Sequence, residues 1–318
     1  MKRAALAAAT LFASSLAGCA LVPDWERPET KSPASLAPAQ GEGVTAITSD
    51  EPWERWWEVF REPQLEQLVK DAREQNQQLR AAFARVQAVR ALVSQQRAPL
   101  FPSASLNGDY RYQRASRGTI AFSVSRDTKP FKPTDYMLGT ADLAWELDIF
   151  GRVRRGLESA DNELVATEED RRGLEVSLIA DVADAYFDLG EAEASLELAR
   201  EIVATRERSL GLVKDRLAAG VAQELDLRRA ESELESARAQ VPAARRRHAL
   251  AEHRLAILTG RTPDVSFHGK PPAAFALPPS VPVGLPASLL ERRPDVRAAE
   301  RRAAAQNALV GQAIANFF

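Results

Sequence analysis

Cysteine is nearly absent from this chain: Cys19 is the single one among 318 residues, and there are only three histidines. One thiol makes no disulfide framework, and with three scattered histidines it makes no zinc-type ligand set either. Past residue 18 there is no run of eighteen apolar residues, which excludes a transmembrane helix. A membrane crossing, if there is one, falls to strands. The formal net charge is −2, so the clustered basic excess of a nucleic-acid binder is missing too. A glycine-rich phosphate loop, a nucleophile elbow and an HExxH pair are likewise missing. His248 falls on a heptad seam, His253 is turned away from it, and His268 sits in a proline-rich stretch. No spacing assembles a catalytic site. The chain reads as a non-enzyme without a cofactor, the one covalent group expected being lipid.

That lipid follows from the start of the chain. Lys2 and Arg3 precede an apolar run from Ala4 to Phe12, and Leu16-Ala17-Gly18 lead into Cys19. Residues 1–18 have the layout of a secretory signal peptide. Leu-Ala-Gly-Cys resembles the bacterial lipobox, in which the cysteine sulfur takes a diacylglycerol, and Ala20 after it suits passage to the outer membrane. Residues 19–50, with prolines at 23, 28, 33 and 38, read as an extended tether.

From Pro52 the text becomes helical. Trp53, Trp56, Trp57 and Phe60 sit at helical spacing as packing residues, and one helix is expected from about Pro63 to Ala98, closed by Pro99 and Pro102. A hairpin is expected over about 102–150. In its first strand Ala104, Leu106, Gly108, Tyr110 and Tyr112 alternate with Ser103, Ser105, Asn107, Asp109, Arg111 and Gln113. In its second, Met137, Gly139, Ala141, Leu143, Trp145, Leu147 and Ile149 alternate with Thr140, Asp142, Ala144, Glu146 and Asp148. Segments of about ten residues match a tilted membrane-crossing strand. A soluble hairpin with one wet face fits the same alternation. In lipid a lone hairpin would leave its edges unpaired, so other strands must complete it.

Arg152 to Ala219 holds no proline and would reach on the order of 100 Å as continuous helix. Leu196, Val203, Leu210 and Leu217 recur every seven residues. Beyond Gly220, Leu227, Leu234, Val241, His248 and Leu255 make one heptad position, and Ala230, Ala237, Ala244, Ala251 and Leu258 another. Residues of about 152–259 therefore read as a long antiparallel helical hairpin turning at Gly220. Residues 262–286 carry seven prolines and read as an irregular linker. Residues 287–318 repeat the first helix at an offset of 217: Arg80-Ala81-Ala82 matches Arg297-Ala298-Ala299, Ala91-Leu92-Val93 matches Ala308-Leu309-Val310, and Gln95, Ala98 and Phe101 match Gln312, Ala315 and Phe318. About ten of 26 positions agree. The expectation is a tandem duplication, with a first repeat over 51–261 and a second cut short.

The lipobox, the proline-rich tether and the runs WWEVFREPQLEQLV, WELDIFGRVRRGLE, AGVAQELDLRRAE and LPASLLERRPDVRAAE together resemble the TolC-like outer-membrane efflux proteins, most closely the lipoprotein branch working with RND-type pumps. The resemblance implies a mainly α fold with a transmembrane β-hairpin, completed by trimerisation into a twelve-strand barrel continued by a helical barrel. It implies an outer-membrane channel that exports small molecules with a periplasmic adaptor protein and an inner-membrane RND-type pump, and no nucleic-acid partner. By motif, Arg216, Gly220, Val221, Ala222 and Asp226 would form the adaptor-docking and gating tip. Ser105, Asn107, Asp109, Asp142, Glu146 and Asp148 would face the lumen, where acidic groups favour cations. A periplasmic lipoprotein scaffold acting through its coiled coil alone is the competing expectation.

Overall fold

The computed structural model describes residues 25–28, 55–114, 133–264, 266–275 and 291–318. Cys19, the leader and most of the tether lie outside the described residues. The elements in order are a 3-10 turn (Trp56–Phe60), α1 (Pro63–Gln75), α2 (Gln77–Arg97), β1 (Ser103–Gln113), β2 (Thr134–Ala144), α3 (Arg152–Ala218), α4 (Glu224–Leu258) and α5 (Pro294–Ala315). They fall into two compact units. One comprises residues 90–163 and 303–318, the other residues 27–89 and 164–302.

The larger unit holds the apolar core. Leu65, Leu68, Val69 and Ala72 of α1 meet Leu178, Ile179, Val182, Tyr186 and Leu189 of α3 and Leu255 and Ala256 of α4, with Trp57 and Phe267 closing the cluster. The tryptophans of the 3-10 turn are packing residues, as their spacing suggests: Trp56 lies edge-on to Trp57 and Phe60, and Phe60 edge-on to Phe187.

One expectation fails here. The single helix from Pro63 to Ala98 is two helices, broken at Asn76. Its side-chain oxygen accepts from the Leu79 N–H (3.0 Å) and so caps α2, while its amide donates to the Leu258 carbonyl (2.9 Å) at the end of α4. Asn76 is buried, so the break is held by satisfied polar groups. Gly260 then crosses the same place at φ +71, where a Cβ would lie 2.4 Å from the Gln75 carbonyl oxygen. Only glycine fits. The Arg261 guanidinium reaches back to the buried Asp71 carboxylate.

The helical hairpin of α3 and α4 forms as the heptads imply. Leu196 and Ala199 of α3 pack with Ala244 and Val241 of α4, and Leu234, Ala237 and Leu255 are buried along the same seam. Arg206–Glu233 (2.7 Å) and Arg238–Glu207 (2.8 Å) pair across it on the exposed side. Such exposed pairs contribute little, so the seam holds the arms together.

Tyr186 is fully buried, and burial with the nearby Glu62 charge pushes its hydroxyl up to about 12. The folded chain thus keeps this proton where the unfolded chain has lost it, and stability is expected to fall as pH rises from about 10 towards 12. Thermal melts across that range should show a shallower fall for Tyr186→Phe than for the parent.

Candidate functional site

Two places concentrate the residues singled out by sequence: the β-hairpin with its entry into α3, and the turn between α3 and α4. Each lies in its own unit.

β1 and β2 pair antiparallel in a register that sets Ser105 opposite Asp142, Asn107 opposite Thr140, Leu106 opposite Ala141 and Gly108 opposite Gly139. Residues directly opposite share a face. The two polar rows therefore fall together, and so do the two apolar rows. On the polar face the Asn107 amide donates to Asp142 (3.0 Å), as does the Thr140 hydroxyl (3.2 Å), and Arg111 pairs with Asp109 (2.7 Å). Asp109 lies opposite Leu138 on that face. On the other face Leu106, Met137 and Leu143 are 89%, 85% and 77% exposed. Neither face is covered, and both outer edges of the ribbon lack a partner strand among the described residues. Two strands in this condition are not independently stable in water.

Glu146 and Asp148 are not strand residues, contrary to the expectation that they line a lumen with Asp142. β2 stops at Ala144. What stops it is the start of α3. The Asp148 carboxylate accepts from the Val153 (3.1 Å) and Arg154 (2.9 Å) N–H groups, two donors that the first turn of a helix leaves without an internal partner. Glu146 takes both ends of the Arg152 guanidinium (2.8 and 2.5 Å). The Trp145 indole donates to the Leu100 carbonyl (3.2 Å), fixing the strand exit to the strand entry. Burial pushes the Asp148 carboxyl up, but the two backbone N–H groups and the Arg154 guanidinium outweigh it and leave it below the usual carboxylate range. At Glu146 the Arg152 hydrogen bond has the same net effect. The run WELDIFGRVRRG is thus a strand-to-helix adaptor. Asp148 four residues ahead of Arg152 was the signal in the sequence, masked by an alternation that continues through it.

At the tip, Arg216, Gly220, Val221, Ala222 and Asp226 come together in one turn. Gly220 has φ +74, its N–H donates to the Leu217 carbonyl (2.9 Å), and the Val221 N–H donates to that of Arg216 (2.9 Å). These bonds close α3 in a Schellman motif, which needs the left-handed residue. Asp226 accepts from the Gln223 N–H (3.1 Å) at the start of α4. Sequence reasoning missed Gln223, although Gln-x-x-Asp ahead of a heptad run is a capping signal. Arg216, Gly220, Val221 and Asp226 are exposed and Ala222 is half-buried.

Residues 68–261, from α1 to the end of α4, match the model of the family described as outer membrane efflux protein. The chain belongs to the outer membrane efflux protein family. It is 33% identical over 317 residues, 95% of its length, to a probable efflux pump outer membrane protein of Pseudomonas putida, TtgC, and 33% identical over 315 residues, 98% of its length, to the outer membrane protein OprJ of Pseudomonas aeruginosa. It spans 62% and 63% of those two relatives. Among solved structures it resembles the outer-membrane channel OprN, with a TM-score of 0.79 at 35% identity over 94% of this chain and 65% of that one. It also resembles the open-state outer membrane channel MtrE of Neisseria gonorrhoeae, with a TM-score of 0.72 at 29% identity over 93% of this chain and 64% of that one. Efflux-family membership accords with the mainly helical fold carrying one strand pair. Among the described residues no helix is long and apolar enough to cross a membrane.

Asp148→Ala should fray the first turn of α3 and cost about 1 kcal/mol. Amide hydrogen exchange should quicken at Val153 and Arg154 and stay unchanged at the tip. Because the Asp148 carboxyl is held below its usual range, its contribution is present above the unfolded value and is lost as pH falls through the folded one. Asp148→Asn should remove that part of the acid sensitivity.

Proposed function

We propose that this chain is the outer-membrane channel component of a tripartite efflux system, passing small molecules such as drugs or other toxic compounds from the periplasm outward. The observation that carries this reading is the two-faced ribbon. Its polar rows share one face, its apolar rows share the other, both faces are open, and its edges await strands. Such a ribbon has a use in a closed barrel, where lipid takes the apolar face and water the polar one. In the proposed assembly Ser105, Asn107, Asp109 and Asp142 line the water-filled side, and Asp109 and Asp142 bias it towards cations. Glu146 and Asp148 hold the strand-to-helix entry instead.

The assembly is a homotrimer working with a periplasmic adaptor protein and an inner-membrane RND-type pump, which supplies the energy. The adaptor meets the tip at Arg216, Gly220, Val221 and Ala222, and Asp226 contributes to its closed form. Lipid on Cys19 anchors the chain to the outer membrane after removal of residues 1–18. The efflux roles named for the relatives, and the helical hairpin ending in a tight capped turn, support this arrangement.

In a Cys19-lipidated background, cysteines at Leu106 and Leu143 should resist a water-soluble thiol reagent in outer membranes, while those at Asn107 and Asp142 react. Equal reactivity on the two faces would overturn the membrane-spanning reading. A fatty-acid label should disappear with Cys19→Ser. At the tip, Gly220→Val forces a β-branched residue to φ +74 and should cost roughly 1 kcal/mol or more, lowering drug resistance without unfolding the hairpin. Asp226→Asn keeps an acceptor for the Gln223 N–H while removing the charge. It should raise single-channel leak, and an unchanged conductance would remove Asp226 from the gate.

A further inference from the structure

Along one face of the α3–α4 hairpin, charged residues meet across the seam at intervals of one heptad. Glu207 of α3 pairs with Arg238 of α4 at 2.8 Å. Seven residues back along α3 and seven on along α4 stand Arg200 and Arg245, two cations in place of a pair. A further heptad brings Glu193 and Glu252, two carboxylates. Like charges facing each other across a seam repel, so each of these two rungs calls for a third group.

The acidic rung has one. Residues 267–269 lie across both arms: the Phe267 N–H donates to Glu252 (3.4 Å) and the Gly269 N–H to Glu193 (3.0 Å). His248 (3.2 Å) and His268 (3.5 Å) stand beside the second oxygens of the same carboxylates. The basic rung has none. Arg200 and Arg245 are exposed, and neither meets a partner among the described residues. Both border a groove of about 450 Å3 whose floor is Val203, Ala204, Val241 and Pro242. Three guanidiniums stand around it against one carboxylate, Glu207, which Arg238 already engages. Pro242 has no N–H, so α4 loses one bond of its ladder at this level.

We propose that this groove binds an amphiphilic organic anion, a carboxylate, sulfonate or phosphate head on a compact apolar body. The head meets the planar forks of Arg200 and Arg245, which match such groups in geometry as well as in charge. The body covers Val203, Val241 and Pro242 and releases water from them. An apolar ligand would leave the two cations facing each other, and a bare inorganic anion would leave the floor wet. The amphiphile answers both. The volume is that of a small-molecule site, and the groove is bounded within one heptad by the Glu207–Arg238 pair and by residues 267–269, which favours a small anion over an acidic protein segment. Touching both arms, the anion ties α3 to α4 where Pro242 interrupts the helix. The site stands apart from the tip and the ribbon, and the inference holds whether or not the ribbon forms a pore.

The test uses the full chain in amphipol and a photoreactive, diazirine-bearing analogue of decanoate, with the labelled peptides mapped by mass spectrometry. Label is expected around Val203 and Val241, and an excess of plain decanoate should compete it away. Arg200→Gln together with Arg245→Gln should lower this labelling roughly tenfold or more, as the loss of a charged hydrogen bond does. Ala204→Glu, one turn from Arg200, should suppress it with both arginines kept, by supplying a carboxylate from the protein itself. All three positions are exposed, and circular dichroism checks the helical content of each variant. Decyltrimethylammonium, a cation of the same chain length, and inorganic phosphate should each fail to compete. Absence of label from the hairpin, or label that survives either change, overturns the proposal. So does competition by the cation equal to that by decanoate, which means an apolar groove with no use for its arginines. Equal competition by phosphate overturns it as well, leaving an anion site with no use for its floor. Displacement by a glutamate-rich helical peptide at lower concentration than decanoate overturns it in favour of an acidic protein partner.

Discussion

Every backbone N–H and C=O along the outer edges of the β1–β2 ribbon must find a partner, and none of the described residues supplies one. That requirement governs how the surrounding chain is built. A free ribbon would twist, slip in register or aggregate, so its two ends are fixed where it leaves and enters the helices. Trp145 ties the exit of β2 to the Leu100 carbonyl beside the entry of β1. Asp148 and Gly151, the latter at φ +82, turn the chain directly into α3. Register is set by the faces: a slip of one residue would set Asp142 opposite Ala104 or Leu106, on the apolar face.

The helical part answers a different need. Long helices on narrow seams are weakly anchored along their length, and the larger unit concentrates its apolar burial in one place. There α1, α3 and α4 converge on Leu65, Tyr186, Leu189 and Leu255, all fully buried. Three polar side chains at this convergence are held by partners. Asn76 caps α2 while holding the end of α4, Asp71 is paired by Arg261, and Glu62 by Lys270 at 2.6 Å. Removing one member of such a pair costs more than the pair contributes, because the other is left buried and charged. Away from this core the hairpin relies on its leucine–alanine seam, which leaves the tip free to be shaped by local bonds alone.

The tip illustrates how little chain is needed for a defined end. One residue at φ > 0 and one side-chain acceptor close α3 and open α4. The turn presents Val221 and Leu225, 75% and 54% exposed, beside Arg216 and Asp226. A small apolar centre thus stands among charges of both signs, on a backbone that local bonds alone hold fixed.

Much of this was legible in the sequence. Alternation of period two gave both strand faces, since side chains on a strand point alternately to either side whatever surrounds them. Heptads gave the α3–α4 seam, and the 217-residue offset gave the kinship of α2 and α5. These are properties of local geometry, and local geometry is written residue by residue. Three things were not written there. Alternation ran on through Glu146 and Asp148, and only the packing of α3 decided that Asp148 caps a helix rather than facing water. Helical pattern ran on through Asn76, and only the arrival of Gly260 and Leu258 from far along the chain decided the break. Ala298, Ala305, Ala308 and Ala315 are buried in α5, while their identical counterparts in α2, Ala81, Ala88, Ala91 and Ala98, are exposed. Repeated text gives two helices the same faces; which face is buried depends on what the rest of the chain brings alongside.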